Sequence, residues 1–132
     1  MNGTFSIDVD PLRDLIRIRM SGFFTPARIG DFLAARRATH ARLRCGPNQH
    51  VTINDLREMK IQSQDVVGHF HSVLADPAYR SRRLAFVVAS SLARMQLIRA
   101  IGSRSAQCFT DPGEAEAWLF EDLVAHRAAA AR

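Results

Sequence analysis

The chain has 132 residues and a mass of 14.7 kDa, which is the size of one domain. Hydrophobic residues make up 47% and charged residues 23%, a balance typical of one ordered core rather than of a disordered chain. The net charge is +5, and every basic side chain except Lys60 is an arginine. These arginines are scattered and no aromatic-and-basic platform accompanies them, so we expect no nucleic-acid binding.

Several other classes of protein are excluded by what the sequence lacks. No apolar stretch approaches the roughly 20 residues that span a bilayer, and the first residues do not resemble a secretory signal. Cys45 and Cys108 lie far apart and the histidines show no ligand spacing, so we expect no disulfide, no metal and no cofactor. A reducing cytoplasm is the predicted location.

Alternating polarity predicts two strands at the start of the chain. Apolar and polar residues alternate over 5–9 and again over 16–20, on either side of turn-forming residues at 10–14. This pattern indicates an antiparallel hairpin with one solvated face.

Four helices are predicted from their start and stop signals. The first is expected to continue to about Arg44, where Gly46-Pro47 stops it, and the third to cover residues 92–101. Each begins at a side chain suited to capping: Thr25, Ser63, Ser90 or Ser91, and Asp111.

Three further strands are predicted at 51–55, 84–89 and 106–109, between these helices. Strands that alternate with helices form a mostly parallel sheet with right-handed crossovers. We therefore predict an α/β fold in which four helices flank a five-stranded sheet, with the N-terminal strand antiparallel. It forms a single domain over 3–125, followed by a frayed tail at 126–132.

The predicted functional surface is the edge where the parallel strands end, because ligands of such sheets bind there. Helix N-termini meet at this edge and favour anions. For each serine or threonine, the alternative is a helix cap that contributes about 1 kcal/mol. The predicted anion- or partner-binding residues of this carboxyl edge are Thr25, Asp55, Arg57, Ser90, Ser91 and Arg94.

Two arginines, Arg36 and Arg94, lie among apolar residues on their predicted helix faces. A buried arginine needs a partner or a path to water, so each is interpreted as an ion-paired or snorkelling side chain, with ligand contact as the alternative. His40 shares a face with Arg36 and is interpreted as a packed histidine.

A catalytic interpretation is considered and set aside. Ser90-Ser91 lies at a strand-to-helix turn, with Asp111 and His126 following in hydrolase order. The flanking glycines of a nucleophile elbow are absent and His126 falls in the expected fraying tail, so we predict no catalytic residue and no enzyme.

The order of elements and two segments, VTIND at 51–55 and DPGEAEAWL at 111–119, resemble the anti-sigma-factor-antagonist (STAS) fold. More closely, the chain over 5–123 resembles the stand-alone bacterial STAS-like proteins, also called SpoIIAA-like. The resemblance implies a non-catalytic module that docks on a kinase-like anti-sigma factor and is switched by phosphorylation of a serine starting the second helix. Ser63 lies beside that position, although Gln64-Asp65 replaces the motif's second hydroxyl residue and glycine. Ser63 is thus a candidate phospho-acceptor or a helix cap.

Two main functions stay open at this stage. The first is a regulatory or protein-interaction module that binds a protein partner through the carboxyl edge. The alternative is a binder of a lipid or an anionic, nucleotide-like small ligand, with an apolar pocket walled by Phe23, Phe24, Ile61 and Phe70. The first strand is also a candidate edge for a homodimer.

Overall fold

The computed structural model describes residues 3–89 and 106–130, with side chains through Leu123 in the last helix. These residues contain one five-stranded sheet in the order β1-β2-β3-β4-β5. β1 pairs antiparallel with β2, and the remaining neighbours are parallel, as predicted. The strands are β1 (Thr4–Asp10), β2 (Leu15–Gly22), β3 (Val51–Met59), β4 (Arg83–Val87) and β5 (Ala106–Phe109).

Three helices are found in the described residues: α1 (Pro26–His40), α2 (Gln64–Ala75) and α3 (Pro112–Ala130), with a 3-10 turn at Pro77–Tyr79. The helix predicted over 92–101 lies outside the described residues. α1, α2 and α3 begin at the predicted caps. The hydroxyls of Thr25 and Ser63 each accept a bond from a backbone N–H three residues on, and the Asp111 carboxylate does the same.

Three predicted ends are wrong. β4 ends at Val87 instead of residue 89, and the other two differ because of a distant partner. α1 ends at His40 instead of Arg44, because Asp14 Oδ1 accepts hydrogen bonds from Arg44 N at 2.8 Å and Cys45 N at 3.1 Å. These bonds draw the chain out of helical geometry. β3 extends four residues beyond the predicted end, because Glu58 and Met59 still pair with the end of β2 after a shift in register.

The sheet separates two apolar layers. α1 and α2 cover one face, where Ile16, Ile18 and Met20 of β2 pack against Phe32 of α1. α3 covers the other face, where Leu119 packs against the odd-numbered residues of β3 and β4. Because side chains alternate along a strand, Thr52 and Asn54 of β3 face the layer of α1 and α2.

Ion pairs fix α3 to the hairpin on the second face. Glu116 accepts hydrogen bonds from Arg13 Nη2 at 2.6 Å and Arg17 Nη2 at 2.9 Å. Arg17, and then Arg13, lower the pKa of the Glu116 carboxyl below its ordinary value. Asp122, two turns further on, pairs with Arg82 and Arg83 at the start of β4.

Candidate functional site

A cavity lies between the sheet and the helices α1 and α2. Its volume is about 140 Å³. An apolar cavity of about 150 Å³ is large enough to bind benzene, so this space can hold a small organic group. Its central walls are apolar and come from β2, β4 and both helices: Ile16, Ile18, Phe32, Phe70, Leu84 and Phe86.

The two ends of the cavity differ in exposure. At the carboxyl end of β3, the cavity reaches Lys60 and Ile61, and Ile61 is 50% exposed. At the amino end of the strands it reaches His50 and Ser81, which are 2% and 8% exposed. The carboxyl end is therefore closer to solvent, and the amino end is enclosed by polar side chains.

A chain of buried hydrogen bonds forms part of this amino end. Thr52 Oγ1 lies 2.6 Å from Ser81 Oγ, which in turn lies 3.2 Å from Nε2 of His50. Thr52 belongs to β3, His50 immediately precedes β3, and Ser81 lies two residues before β4. Buried polar groups need such partners, so this chain satisfies the hydroxyls and ties the starts of two strands together.

Arg36 approaches the same end from α1. Its side chain is 13% exposed and lies in range of one carboxylate, with Nη2 3.6 Å from Asp76 Oδ2. Nη1 donates to Val73 O at 3.2 Å, and the guanidinium carbon lies 4.1 Å from the centre of the Tyr79 ring. Burial lowers the pKa of Arg36, and Asp76 opposes that shift. Nε is buried without a hydrogen-bond partner in the described part of the chain.

His40 lies one turn beyond Arg36 on the same face of α1. Its ring meets the rings of His50 and Tyr79 edge-on, each with centroids 4.9 Å apart. Burial, followed by the charge of Arg36, lowers the pKa of His40. Within the described residues, its Nε2 is buried and has no hydrogen-bond partner. The amino end thus contains Arg36 and His40. Each has one buried nitrogen without a hydrogen-bond partner in the described residues.

At the opposite end, Gln62 organises the backbone beside the cavity. Its Oε1 accepts a hydrogen bond from Phe24 N at 2.8 Å, and its Nε2 donates to Gly22 O at 3.0 Å. Gly22 has a φ of 77°, in the left-handed region that favours glycine. Gln62 is 8% exposed, so this amide is a buried link between the ends of β2 and β3.

Of the residues predicted at the carboxyl edge, the structure describes Thr25, Asp55, Arg57 and Ser63, and these lie on two faces of the sheet. Thr25 and Ser63 cap the helices over the cavity face. Asp55 and Arg57 project toward the α3 face and pair with each other, with Arg57 Nη2 2.8 Å from Asp55 Oδ2. The bond from Arg57 lowers the pKa of the Asp55 carboxyl. Ser90, Ser91 and Arg94 lie outside the described residues, so their predicted role is unchanged.

A second depression lies beside Thr25, where Gly3, Phe23 and Arg28 contribute to its lining. Its volume is larger, about 450 Å³, but most of its lining residues are exposed, so it is an open groove. Arg28 already donates to Gly3 O at 3.0 Å and pairs with Asp31. The cavity beneath α1 and α2, whose lining is mostly buried and apolar, is therefore the stronger binding site.

The predicted apolar pocket is partly correct. Ile61 and Phe70 line the cavity, but Phe23 and Phe24 are not among its lining residues. Phe24 is buried against Phe70, with ring centroids 5.7 Å apart, and Phe23 is 49% exposed. Consecutive residues leaving a strand face opposite ways, so these two phenylalanines could not share one wall.

Sequence reasoning missed the polar amino end of the cavity. The available signal was Thr52 and Asn54, which are polar residues alternating with apolar ones in a strand at the middle of the sheet. A central strand is covered on both faces, so polar residues there must face other buried polar groups or a ligand. The other polar residues of this end, Arg36, His50 and Ser81, come from separate parts of the chain.

Other sites are not found in the described residues. They contain no group of three or more side chains suited to holding a metal ion. Within the same ranges, no helix has the length and apolar character needed to cross a membrane. Within the described residues, Cys45 and Cys108 are half-buried and form no disulfide.

Comparison with known proteins identifies the fold. No protein-family model matches the chain, and no curated protein does. The structure is similar to that of an uncharacterized protein of the DUF3478 family with a SpoIIAA-like fold, from Shewanella loihica PV-4. The TM-score is 0.68 at 14% sequence identity, and the match covers 89% of this chain and 94% of the other. The chain therefore has a SpoIIAA-like, or STAS-like, fold, as its sequence predicted.

Proposed function

We propose that this protein is a non-catalytic binder of a small amphipathic ligand, which occupies the cavity between the sheet and the helices α1 and α2. The observation that carries the proposal is the cavity itself, about 140 Å³ of space with apolar central walls and polar groups gathered at one end. Most of the described side chains that line the cavity are buried or half-buried, so a ligand there would be largely removed from water.

The chemistry of the lining fits such a ligand. Ligand pockets are mostly apolar, with a few polar groups that fix the orientation of what they bind. Here Phe32, Phe70 and Phe86 supply apolar contact, while Arg36 and His40 supply polar groups at one end. We place the protein in the cytoplasm, where short-chain organic acids and lipid fragments are available as ligands.

Titration calorimetry with 1-octanol, a small amphipathic probe, tests this function. Wild-type protein should bind it, and V67F should not, because the phenyl ring enters the cavity from α2, where Val67 lines it. H69F is the matched control, since His69 is an exposed residue of the same helix. Circular dichroism checks that both variants are folded. Absence of binding by the wild type, or equal binding by V67F, contradicts the proposal.

A second candidate function is regulatory protein interaction at the carboxyl edge. Phe23 and Ile61 are 49% and 50% exposed there. They lie on adjoining segments, because Lys60 N donates to Gly22 O at 3.1 Å. Ser63 follows Ile61 and is exposed, so a phosphate on it would lie beside this apolar pair, at a helix start that favours a dianion. A protein partner with an apolar contact surface fits this edge.

Affinity capture of partners tests this second function. The wild type should recover a specific protein that the F23Q/I61Q double variant does not recover, and S63D should change that recovery relative to S63A. The same partner captured equally by all variants would contradict a role for this edge. Sedimentation of the purified protein tests the further proposal of a homodimer through β1, which lies at the edge of the sheet.

A further inference from the structure

We infer that the ligand is a monoanionic amphiphile, such as a carboxylic acid with an apolar body, whose carboxylate binds Arg36 and His40 at the amino end of the cavity. This inference rests on the proposed function and deepens it by naming the charge of the ligand and its orientation. It also places the polar contact at the amino edge of the sheet, whereas the sequence predicted a site at the carboxyl edge.

The Arg36 guanidinium has N–H donors that are not used in hydrogen bonds within the described residues. A guanidinium has five N–H donors, and a buried one is costly unless they are used. Only one hydrogen bond is found for it within the described residues, from Nη1 to Val73 O. Its carboxylate partner, Asp76, is 3.6 Å from Nη2, longer than the roughly 2.8 Å of a charge-assisted hydrogen bond. Asp76 also uses Oδ1 to accept a bond from Ala78 N.

His40 lies beside Arg36 at the amino end of the cavity. It follows Arg36 by one turn of α1, so both side chains extend from the same face toward the cavity. The Tyr79 ring contacts both of them and holds them in place, with its centroid 4.1 Å from the guanidinium carbon and 4.9 Å from the imidazole centroid. A carboxylate at this end of the cavity can accept from N–H groups of Arg36 and His40, since both residues line it. Arg36 Nε and His40 Nε2 are buried nitrogens without hydrogen-bond partners within the described chain.

The distribution of charge indicates a monoanion. Among the described lining residues, Arg36 and Lys60 are the permanent cations, and they lie at opposite ends of the cavity. One arginine and one histidine match a single negative charge, whereas a dianionic phosphate is better matched by several cations. The apolar body then extends from Phe32, one turn before Arg36 on α1, along the sheet toward the carboxyl end.

Octanoate and 1-octanol form a matched pair of probes, since they differ mainly in charge. Calorimetric titration of the wild type should show tighter binding of octanoate. R36M should lower octanoate affinity about tenfold or more and 1-octanol affinity much less, because only octanoate loses a contact between opposite charges. K60M is the control, since it removes a positive charge from the other end of the cavity and should leave the preference for octanoate intact.

The outcomes separate the two proposals. If 1-octanol binds but octanoate binds no better, or if K60M instead of R36M removes the preference, the anion site is wrong and the cavity function stands. If neither probe binds, both are wrong. Nuclear Overhauser effects between octanoate and the wild-type protein test the orientation of the ligand without relying on any variant. The methylene next to the octanoate carboxyl should contact the Tyr79 ring, and contacts to Ile61 instead would overturn the orientation.

Discussion

The Oε1 atom of Gln62 accepts a hydrogen bond from the backbone N–H of Phe24 at 2.8 Å, across 38 residues of sequence. The same amide donates to Gly22 O, so one buried side chain joins the ends of β2 and β3 beside the cavity. Phe24 N cannot reach water when it is buried there, because Phe24 is only 4% exposed. This contact therefore determines where α1 begins relative to the sheet.

Replacing Gln62 should weaken the fold measurably. Q62A leaves the Phe24 N–H buried without a partner, which we expect to lower the free energy of unfolding by about 1–3 kcal/mol. Q64A is the control, because Gln64 is the exposed first residue of α2 and its loss should cost less than about 0.5 kcal/mol. Urea denaturation measures both. Equal losses for the two variants would show that the Gln62 bonds do not contribute.

Local signals in the sequence were sufficient for most of the fold. The caps at Thr25, Ser63 and Asp111 were predicted correctly, because an N-cap needs only its own residue and the next few. The end of α1 was not, because it depends on the carboxylate of Asp14, a residue about 30 positions earlier that adopts a φ of 48°. Such a contact has no local pattern.

The site was harder to predict than the fold. The rule that ligands bind where parallel strands end directed attention to Asp55 and Arg57, but these side chains neutralise each other on the α3 face. Arg36 was recognised as unusual, and its ion pair with Asp76 was one of the predicted alternatives. The contact between His40 and His50 depends on how α1 packs beside β3, which periodicity alone does not specify.

Two glycines should respond in opposite directions to the same added methyl group. Gly30 lies in α1 with nothing within 4 Å of an added Cβ, so G30A should raise the free energy of unfolding by about 0.5–1 kcal/mol. At Gly3, the Cβ would lie 2.7 Å from Phe24 Cδ1 and 2.8 Å from Phe23 O, so G3A should lower it by about 1 kcal/mol or more. Thermal unfolding of the two variants compares them directly, and stabilisation by G3A would mean that Gly3 is not held against Phe23 and Phe24.

His40 should make the protein less stable as the solution is acidified. Its pKa in the folded protein lies below the value of about 6.5 expected in the unfolded chain, because burial and Arg36 disfavour the charged ring. Below that pH the unfolded chain binds more protons, so stability is greatest above about pH 6.5 and declines as pH falls toward the folded pKa. Around the ring, Arg36 adds positive charge, Asp76 pairs with Arg36, and the Tyr79 and His50 rings contact His40 directly.

The variant H40F keeps an aromatic ring at this position and removes the titrating group. We expect the loss of unfolding free energy between about pH 8 and about pH 5.5 to be smaller in H40F than in the wild type, because its ring cannot take up a proton. H69F controls for the loss of an exposed histidine, and it should retain the wild-type dependence on pH. Urea denaturation at both pH values gives the comparison, and subtracting the two proteins removes any contribution that His50 makes to both. An unchanged pH dependence in H40F would mean that folding does not shift the pKa of His40, which would contradict the burial of its ring beside Arg36.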